Sequence, residues 1–172
     1  SIRVTIRRAV VRYDFWTGNL YKPNDPRVSF SGYNTVDSVF ENIIAMDDAP
    51  ARGAESASRA GFVASGNATD VTGITASSNN KYLGNISLNN IGNGFELNGG
   101  SSAYPMSNLE FENLVAWGNS GSGINVQGNS AGARFSHLTI GANGSMGLRL
   151  DPYPQAPITG TTISNNLYGI YQ

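Results

Sequence analysis

The stretch Phe40-Glu41-Asn42-Ile43-Ile44-Ala45-Met46 reappears later in the chain as Phe111-Glu112-Asn113-Leu114-Val115-Ala116-Trp117. Four further segments follow the same pattern less closely: Ile6–Val11, Leu83–Leu88, Arg134–Ile140 and Ile158–Ile163. A supersecondary unit that recurs at intervals of about 20–50 residues indicates a solenoid or a similar array. The repeat therefore decides the fold class before any other feature of the sequence.

Each copy has a central residue, the corner, with an apolar period of two on both sides, which is the period of a β-strand. The phase of the pattern slips at the corner, so both strands face one interior only if the chain bends there. A one-residue bend needs left-handed backbone geometry, which Asn, Gly and His tolerate better than bulky residues. The predicted corners are Arg8, Asn42, Asn85, Asn113, His137 and Gly160. We expect the side chains of Asn42, Asn85, Asn113 and His137 to stack as a structural ladder.

A third strand is predicted after each corner, where Gly precedes an apolar or aromatic residue, as in Gly94-Phe95-Glu96-Leu97 and Gly123-Ile124-Asn125-Val126. Three short strands per turn around one axis make a parallel β-helix, and parallel crossovers are right-handed. The sequence therefore predicts an all-β fold, a right-handed parallel β-helix (solenoid) of about six coils. We expect one domain over residues 1–172, either complete or a segment of a longer solenoid.

The pattern of a corner Asn, a second Asn and a following Gly resembles the right-handed parallel β-helix repeats of the pectin-lyase-like superfamily. The runs 108–113, 117–124 and 143–148 carry this resemblance. It covers nearly the whole chain and concerns the fold rather than the activity. The corner Asn positions are similar to the asparagine ladder of that superfamily.

One stretch fits two registers. Residues 71–76 also match the corner pattern, but Gly73 lies only 12 residues before Asn85, too few for a coil to close. We interpret residues 65–80 as an insertion. The alternative is that Gly73 is the third corner and that residues 83–88 belong to a later strand of the same coil.

Composition limits the partners of the chain. The net charge of −1 gives no electrostatic reason to bind nucleic acid. The absence of Cys excludes disulfides and thiolate metal sites. No apolar run approaches the roughly 18 residues of a membrane span. We therefore expect neither a nucleic-acid partner nor a membrane span.

Two long loops, residues 13–27 and 47–59, follow the first two corners and should be neighbours. Asp14 and Asp48 each lie six residues after their corners, where they would stack about 5 Å apart. Such a pair suits Ca²⁺ binding or glycosidase chemistry, with Arg52 or Lys22 as a lyase-type base or a substrate clamp. The predicted catalytic set is Asp14, Asp48 and Arg52, and apart from Ca²⁺ no cofactor is predicted. The alternative is that both acids are turn residues that pair with Arg12 or Arg52.

The first loop also holds aromatic residues. Tyr13, Trp16 and Tyr21, with Lys22, form the candidate ligand-binding set, because aromatic rings stack on sugars as they do on other flat groups. The alternative is that these rings pin the loop onto the solenoid. Trp117, four residues after its corner, lies in the outward phase.

His137 is the only histidine and occupies a corner, so we interpret it as structural. With no second His, catalysis by a Ser-His-Asp triad is not expected.

Both ends of the sequence read as strands without an amphipathic capping helix, and unpaired strand edges associate. The leading hypothesis is a structural or adhesive module of an extracellular or cell-surface protein that joins itself end to end into a filament. One alternative is a carbohydrate-active enzyme, a polysaccharide lyase or a glycoside hydrolase, that uses Asp14 and Asp48. The other is a non-catalytic module that binds a polysaccharide through Trp16 and its neighbours.

Overall fold

A computed structural model describes residues 3–13, 28–47, 60–66, 77–99, 106–127, 133–150, 160, 162–164, 166 and 168–171. Every regular element in these ranges is a short β-strand, and the strands pair in parallel. The strands are β1 (Thr5–Arg7), β2 (Val10–Tyr13), β3 (Val28–Tyr33), β4 (Val39–Glu41), β5 (Ile44–Asp47), β6 (Ala60–Gly66), β7 (Lys81–Leu83), β8 (Ile86–Leu88), β9 (Phe95–Gly99), β10 (Glu110–Glu112), β11 (Val115–Trp117), β12 (Ile124–Val126), β13 (Arg134–Ser136), β14 (Thr139–Gly141), β15 (Met146–Leu150), β16 (Thr162–Ser164) and β17 (Tyr168–Tyr171).

Three parallel sheets surround one core. The first sheet has the order β1-β4-β7-β10-β13, the second β2-β5-β8-β11-β14-β16, and the third β3-β6-β9-β12-β15-β17. From β1 to β15, each strand is followed in the chain by a strand of the next sheet and pairs with a strand one coil away, which is the winding of a parallel β-helix. The predicted all-β parallel solenoid is therefore confirmed. Its described strands make the coils β1–β3 to β13–β15, and β16 and β17 belong to a further coil.

Left-handed residues mark the bend between the first and second sheets. Their φ angles lie between 53° and 62°, and the residues are Arg8, Asn42, Gly84, Asn113, His137 and Gly160. The backbone hydrogen bonds of this column continue from coil to coil: the amide of Asn42 donates to Leu83 O at 2.9 Å, and that of Gly84 donates to Glu112 O at 2.9 Å.

The prediction that Asn85 is the third corner is wrong by one residue. The left-handed residue is Gly84, and the register pairs Tyr82 with Phe111 and Ile86 with Val115. Asn85 is fully buried, where its Oδ1 accepts from the amide of Ile43 and its Nδ2 donates to Phe40 O, both at 2.9 Å. Gly and Asn both tolerate a left-handed bend, but only a bend at Gly84 turns the ring of Tyr82 into the core. The alternative corner, Gly73, lies outside the described residues.

Aromatic rings stack along the axis inside the first sheet. The rings of Tyr82 and Phe111 lie 4.8 Å apart at 9°, and those of Phe111 and Phe135 lie 5.0 Å apart at 14°. Such pairs contribute about 0.5–1.5 kcal/mol beyond the area that they bury. The hydroxyl of Tyr82 is buried and has no hydrogen-bond partner among the described residues. It lies against Gly32, where an added Cβ would be 2.5 Å from the hydroxyl oxygen.

A buried asparagine ladder lies where the chain turns from the second sheet towards the third. The Nδ2 of Asn90 donates to Oδ1 of Asn119 at 2.9 Å, Asn119 donates to Asn143 at 2.9 Å, and Asn143 donates to Asn166 at 2.7 Å. Each accepting Oδ1 also receives a backbone amide one coil away at 3.1 Å. These side chains therefore satisfy buried backbone donors that the turn would otherwise leave unpaired.

The glycines directly before β9 and β12 make room for this ladder. A Cβ added to Gly94 would lie 2.8 Å from Nδ2 of Asn119, and one added to Gly123 would lie 2.8 Å from Nδ2 of Asn143. The repeated Gly-apolar motif in the sequence thus reflects close packing against the ladder.

Candidate functional site

The predicted catalytic and calcium-binding residues, Asp14, Asp48 and Arg52, lie outside the described part of the chain. The nearest described pair is Tyr13 and Asp47, which are partners at the ends of β2 and β5. This pairing has the register that the prediction assumes for the two acids. The catalytic and calcium-binding roles stay predictions.

The position of the two acids in the repeat suggests a second interpretation. Asp14 and Asp48 lie six residues after the corners Arg8 and Asn42. The ladder asparagines Asn90, Asn119, Asn143 and Asn166 lie six residues after theirs. In the sequence, the two acids therefore have the same spacing from their corners as the ladder residues.

Of the predicted ligand-binding residues, Trp16, Tyr21 and Lys22 also lie outside the described residues, and only the backbone of Tyr13 is described. Their role in binding stays a prediction.

The corner residues Asn42, Asn113 and His137 are exposed on the edge between the first and second sheets. The amide of Asn42 lies over Gly84, and the ring of His137 lies over Gly160, where an added Cβ would be 2.5 Å from Cδ2. The Nδ1 of His137 is 4.0 Å from Oε1 of Glu112. The geometry fits the structural interpretation of His137.

The outward face of the first sheet is charged. Lys81, Glu110 and Arg134 are register partners on three successive coils, and Nζ of Lys81 lies 2.9 Å from Oε2 of Glu110. A column of left-handed residues, Asp37, Asn79 and Asn108, runs beside the start of these strands. Between the column and the strands lies a depression of about 360 Å³.

The outward face of the third sheet is polar. Glu96 accepts from Nδ2 of Asn93 at 3.0 Å and from Nδ2 of Asn98 at 2.9 Å, so its carboxylate is held in place. Its register partner Asn125 is 4% exposed although it points away from the core. The Oδ1 of Asn125 is buried, and no residue in the described part of the chain forms a hydrogen bond with it.

The outward face of the second sheet is apolar. Two register rows run along it, and we call their apolar members the apolar strip: Val10, Ile44, Met46, Ile86, Leu88, Val115 and Trp117. Every member is at least partly accessible to solvent. An exposed apolar patch of this kind marks an interaction surface more often than a scattered apolar residue does.

Trp117 lies flat at one end of the apolar strip. A Cβ added to its register partner Gly141 would approach three atoms of the six-membered ring, lying closest to Cζ3, 2.6 Å from Cε3 and 2.8 Å from Cη2. Gly141 is buried on an outward face because the indole covers it. With 41% of the residue exposed, the opposite side of the ring faces solvent. The outward phase of Trp117 was readable from the sequence, but the flat placement depends on Gly141.

Within the described ranges, His, Asp and Glu side chains form no group of three that could hold a metal ion. The same ranges contain no helix long and apolar enough to span a lipid bilayer.

No protein-family model matches the chain, and no curated protein matches it. Among solved structures, one match is trypsin-treated QnrB1, a plasmid-mediated fluoroquinolone resistance protein, which is 11% identical over 94% of this chain and 90% of that chain. The TM-score of that match is 0.17, so it carries no argument about this chain. The strand topology alone identifies the chain as a parallel β-solenoid.

Proposed function

We propose that this chain is a non-catalytic structural and adhesive module of an extracellular or cell-surface protein, and that it binds a neutral polysaccharide through the apolar strip. The observation that carries the proposal is the indole of Trp117 lying flat on Gly141 within that strip. A flat ring with one free side offers an aromatic face to the apolar face of a sugar ring, as aromatic faces do for other flat groups. The resemblance to pectin-lyase-like repeats supports a carbohydrate ligand at the level of an analogy.

The chemistry of the strip favours an uncharged ligand. Its seven members carry no formal charge, and the row of Met46, Leu88 and Trp117 meets a cation only at Arg12, one coil before Met46. The strands also hold the strip rigidly, so little conformational entropy is lost when a ligand binds.

The test is binding to insoluble neutral polysaccharides, measured by depletion from solution. Trp117→Ala should weaken binding about tenfold, the equivalent of one stacked ring. Gly141→Ala should also weaken it, because the new Cβ lifts an intact indole off the sheet. The control Tyr33→Ala removes an aromatic residue that is 48% exposed on the third sheet and should bind normally. Unchanged binding by both Trp117→Ala and Gly141→Ala would refute the proposal.

Self-association along the axis is part of the structural proposal. Among the described strands, β1, β2 and β3 lie at one edge of the three sheets, and β13, β16 and β17 lie at the other. Strand edges pair readily with further strands. Sedimentation velocity over a hundredfold range of concentration tests this part, and a sedimentation coefficient that does not change would count against it.

The register of Tyr13 with Asp47 keeps a catalytic alternative open, a polysaccharide lyase or glycoside hydrolase that uses Asp14 and Asp48. The spacing of these acids in the sequence, which matches that of the ladder residues, supports the non-catalytic proposal instead. Asp48→Asn distinguishes the two roles. A ladder residue keeps its structural role when its carboxylate becomes an amide, whereas a catalytic acid loses its activity. Polysaccharide cleavage by the parent chain that Asp48→Asn abolishes would replace the proposal.

A further inference from the structure

We propose that the depression on the first sheet binds a small hydroxylated ligand that carries a sulfate or phosphate group. The depression lies on a different sheet from the apolar strip, so this inference does not rest on the polysaccharide proposal. Its volume of about 360 Å³ is at the lower end of the range of small-molecule sites, about 300–1,000 Å³.

The two walls of the depression are rigid. One wall is formed by Lys81, Glu110 and Arg134, which the strand register holds about 4.8 Å apart on successive coils. The other wall is formed by Asn79 and Asn108, whose φ angles of 55° and 51° turn the chain just before β7 and β10. Backbone hydrogen bonds between the coils hold this column: the amide of Asn79 donates to Ser107 O at 3.0 Å.

The charge of the first wall favours an anion. The 2.9 Å ion pair between Lys81 and Glu110 leaves those two groups neutral as a pair. The guanidinium of Arg134 is exposed, and within the described part of the chain it forms no ion pair, so the depression has a net positive charge. A guanidinium donates two parallel N–H groups to an oxyanion, which makes Arg the preferred side chain for such groups.

The second wall adds an acceptor for a hydroxyl. The amides form an outer ladder in which Nδ2 of Asn108 donates to Oδ1 of Asn79 at 3.0 Å, and Nδ2 of Asn79 donates to Oδ1 of Asp37 at 2.9 Å. Asn108 is the last member in the described ranges, and this direction leaves its Oδ1 without a donor among the described residues. A ligand hydroxyl beside the oxyanion is therefore expected to donate to Asn108 while Arg134 holds the charged group.

The test is isothermal titration of the full chain with inorganic sulfate, inorganic phosphate, glycerol 3-phosphate and glycerol. Glycerol 3-phosphate should bind more tightly than either inorganic ion, and glycerol should not bind. Tighter binding of phosphate than of sulfate assigns the group to a phosphate ester, and the reverse order assigns it to a sulfate ester. Failure of all three anions to bind would overturn the proposal.

Two variants test the residues. Arg134→Gln should weaken anion binding at least tenfold, since it removes a charged donor pair. Asn108→Gly keeps the left-handed backbone and should remove the preference for glycerol 3-phosphate over phosphate. The charge-matched control Arg8→Asn changes an exposed left-handed corner outside the depression and should bind like the parent. Equal loss in Arg8→Asn and Arg134→Gln would mean that binding follows net charge and would overturn the site, provided that the circular dichroism of both variants matches the parent.

Discussion

The buried ladder predicts a large loss of stability when one of its asparagines is removed. Asn119→Ala deletes an acceptor and a donor in the middle of the ladder. Three hydrogen bonds of 3.1 Å or shorter disappear: those from the backbone amide and Nδ2 of Asn90 to Oδ1 of Asn119, and that from Nδ2 of Asn119 to Asn143. At about 1 kcal/mol net for each, the free energy of unfolding should fall by about 3 kcal/mol.

The matched control is an asparagine of the corner column. Asn113 is exposed and left-handed, with a φ of 56°. Asn113→Gly keeps that backbone geometry and should change the stability by less than about 0.5 kcal/mol. The pair of variants thus compares the same residue type at a buried ladder and at the exposed column that the sequence pattern had marked as the ladder.

Equilibrium unfolding in urea measures both variants, and an unchanged m-value shows that they unfold over the same surface as the parent. A loss below about 1 kcal/mol for Asn119→Ala would refute the assignment of the ladder to the buried column. So would an equal loss in Asn113→Gly.

Three further predictions concern the core and the corner. Tyr82→Phe should raise the stability by about 1 kcal/mol in thermal unfolding at neutral pH, because it removes a buried hydroxyl without a partner; a marked loss would indicate that the hydroxyl is hydrogen-bonded. Burial raises the pKa of Tyr82, so the unfolded chain loses this proton first, near pH 10. Below that pH the contribution of the raised pKa of Tyr82 to the free energy of unfolding is complete. Above that pH the free energy of unfolding of the parent should fall by about 1.4 kcal/mol per pH unit relative to that of Tyr82→Phe. The same pH dependence in both proteins at alkaline pH would contradict this. Gly84→Ala should cost about 1–2 kcal/mol in urea, since its φ is 62° and the new Cβ meets Oδ1 of Asn42. Gly169→Ala, whose Cβ has no atom of the described residues within 4 Å, is the neutral control, and equal losses would argue against backbone strain.

The sequence predicts the winding because the bends leave a steric signature. Left-handed geometry favours Asn, Gly and His, and the predicted corners at Asn42, Asn113, His137 and Gly160 all have positive φ. The third corner was misplaced because Gly84 and Asn85 are adjacent and both tolerate the bend. Spacing to the ladder resolves the choice: Gly84 lies six residues before Asn90, the distance found from Asn113 to Asn119, from His137 to Asn143 and from Gly160 to Asn166.

The corner column of Asn42, Asn113 and His137 is present without Asn85, and the buried ladder was missed for a different reason. Asparagine is common in surface turns, and nothing in the composition shows that Asn90, Asn119 and Asn143 are buried. The available signal was positional, because each lies six residues after a corner and four residues before a glycine. An amide that must satisfy a buried backbone donor recurs at a fixed place in every coil, whereas a turn residue need not.

The surface sites were the least predictable part. The outward phase of Trp117 follows from strand periodicity, but its flat placement depends on Gly141 one coil away. The depression depends on which charged residues the register brings together, and Lys81, Glu110 and Arg134 come from three separate repeats. Residue spacing within one repeat carries no information about such neighbours.

Because backbone pairs, stacked rings and ladder amides all connect one coil to the next, a coil can be removed whole. Deleting residues 113–136 would join Glu112 to His137. Tyr82 would keep its register with Phe111. Gly84 would then align with His137, and Asn90 with Asn143. The length of the solenoid can therefore change in steps of about 4.8 Å, one coil at a time, without altering the surfaces of the remaining coils. Length, rather than chemistry, is the property that such a chain can most readily vary in evolution.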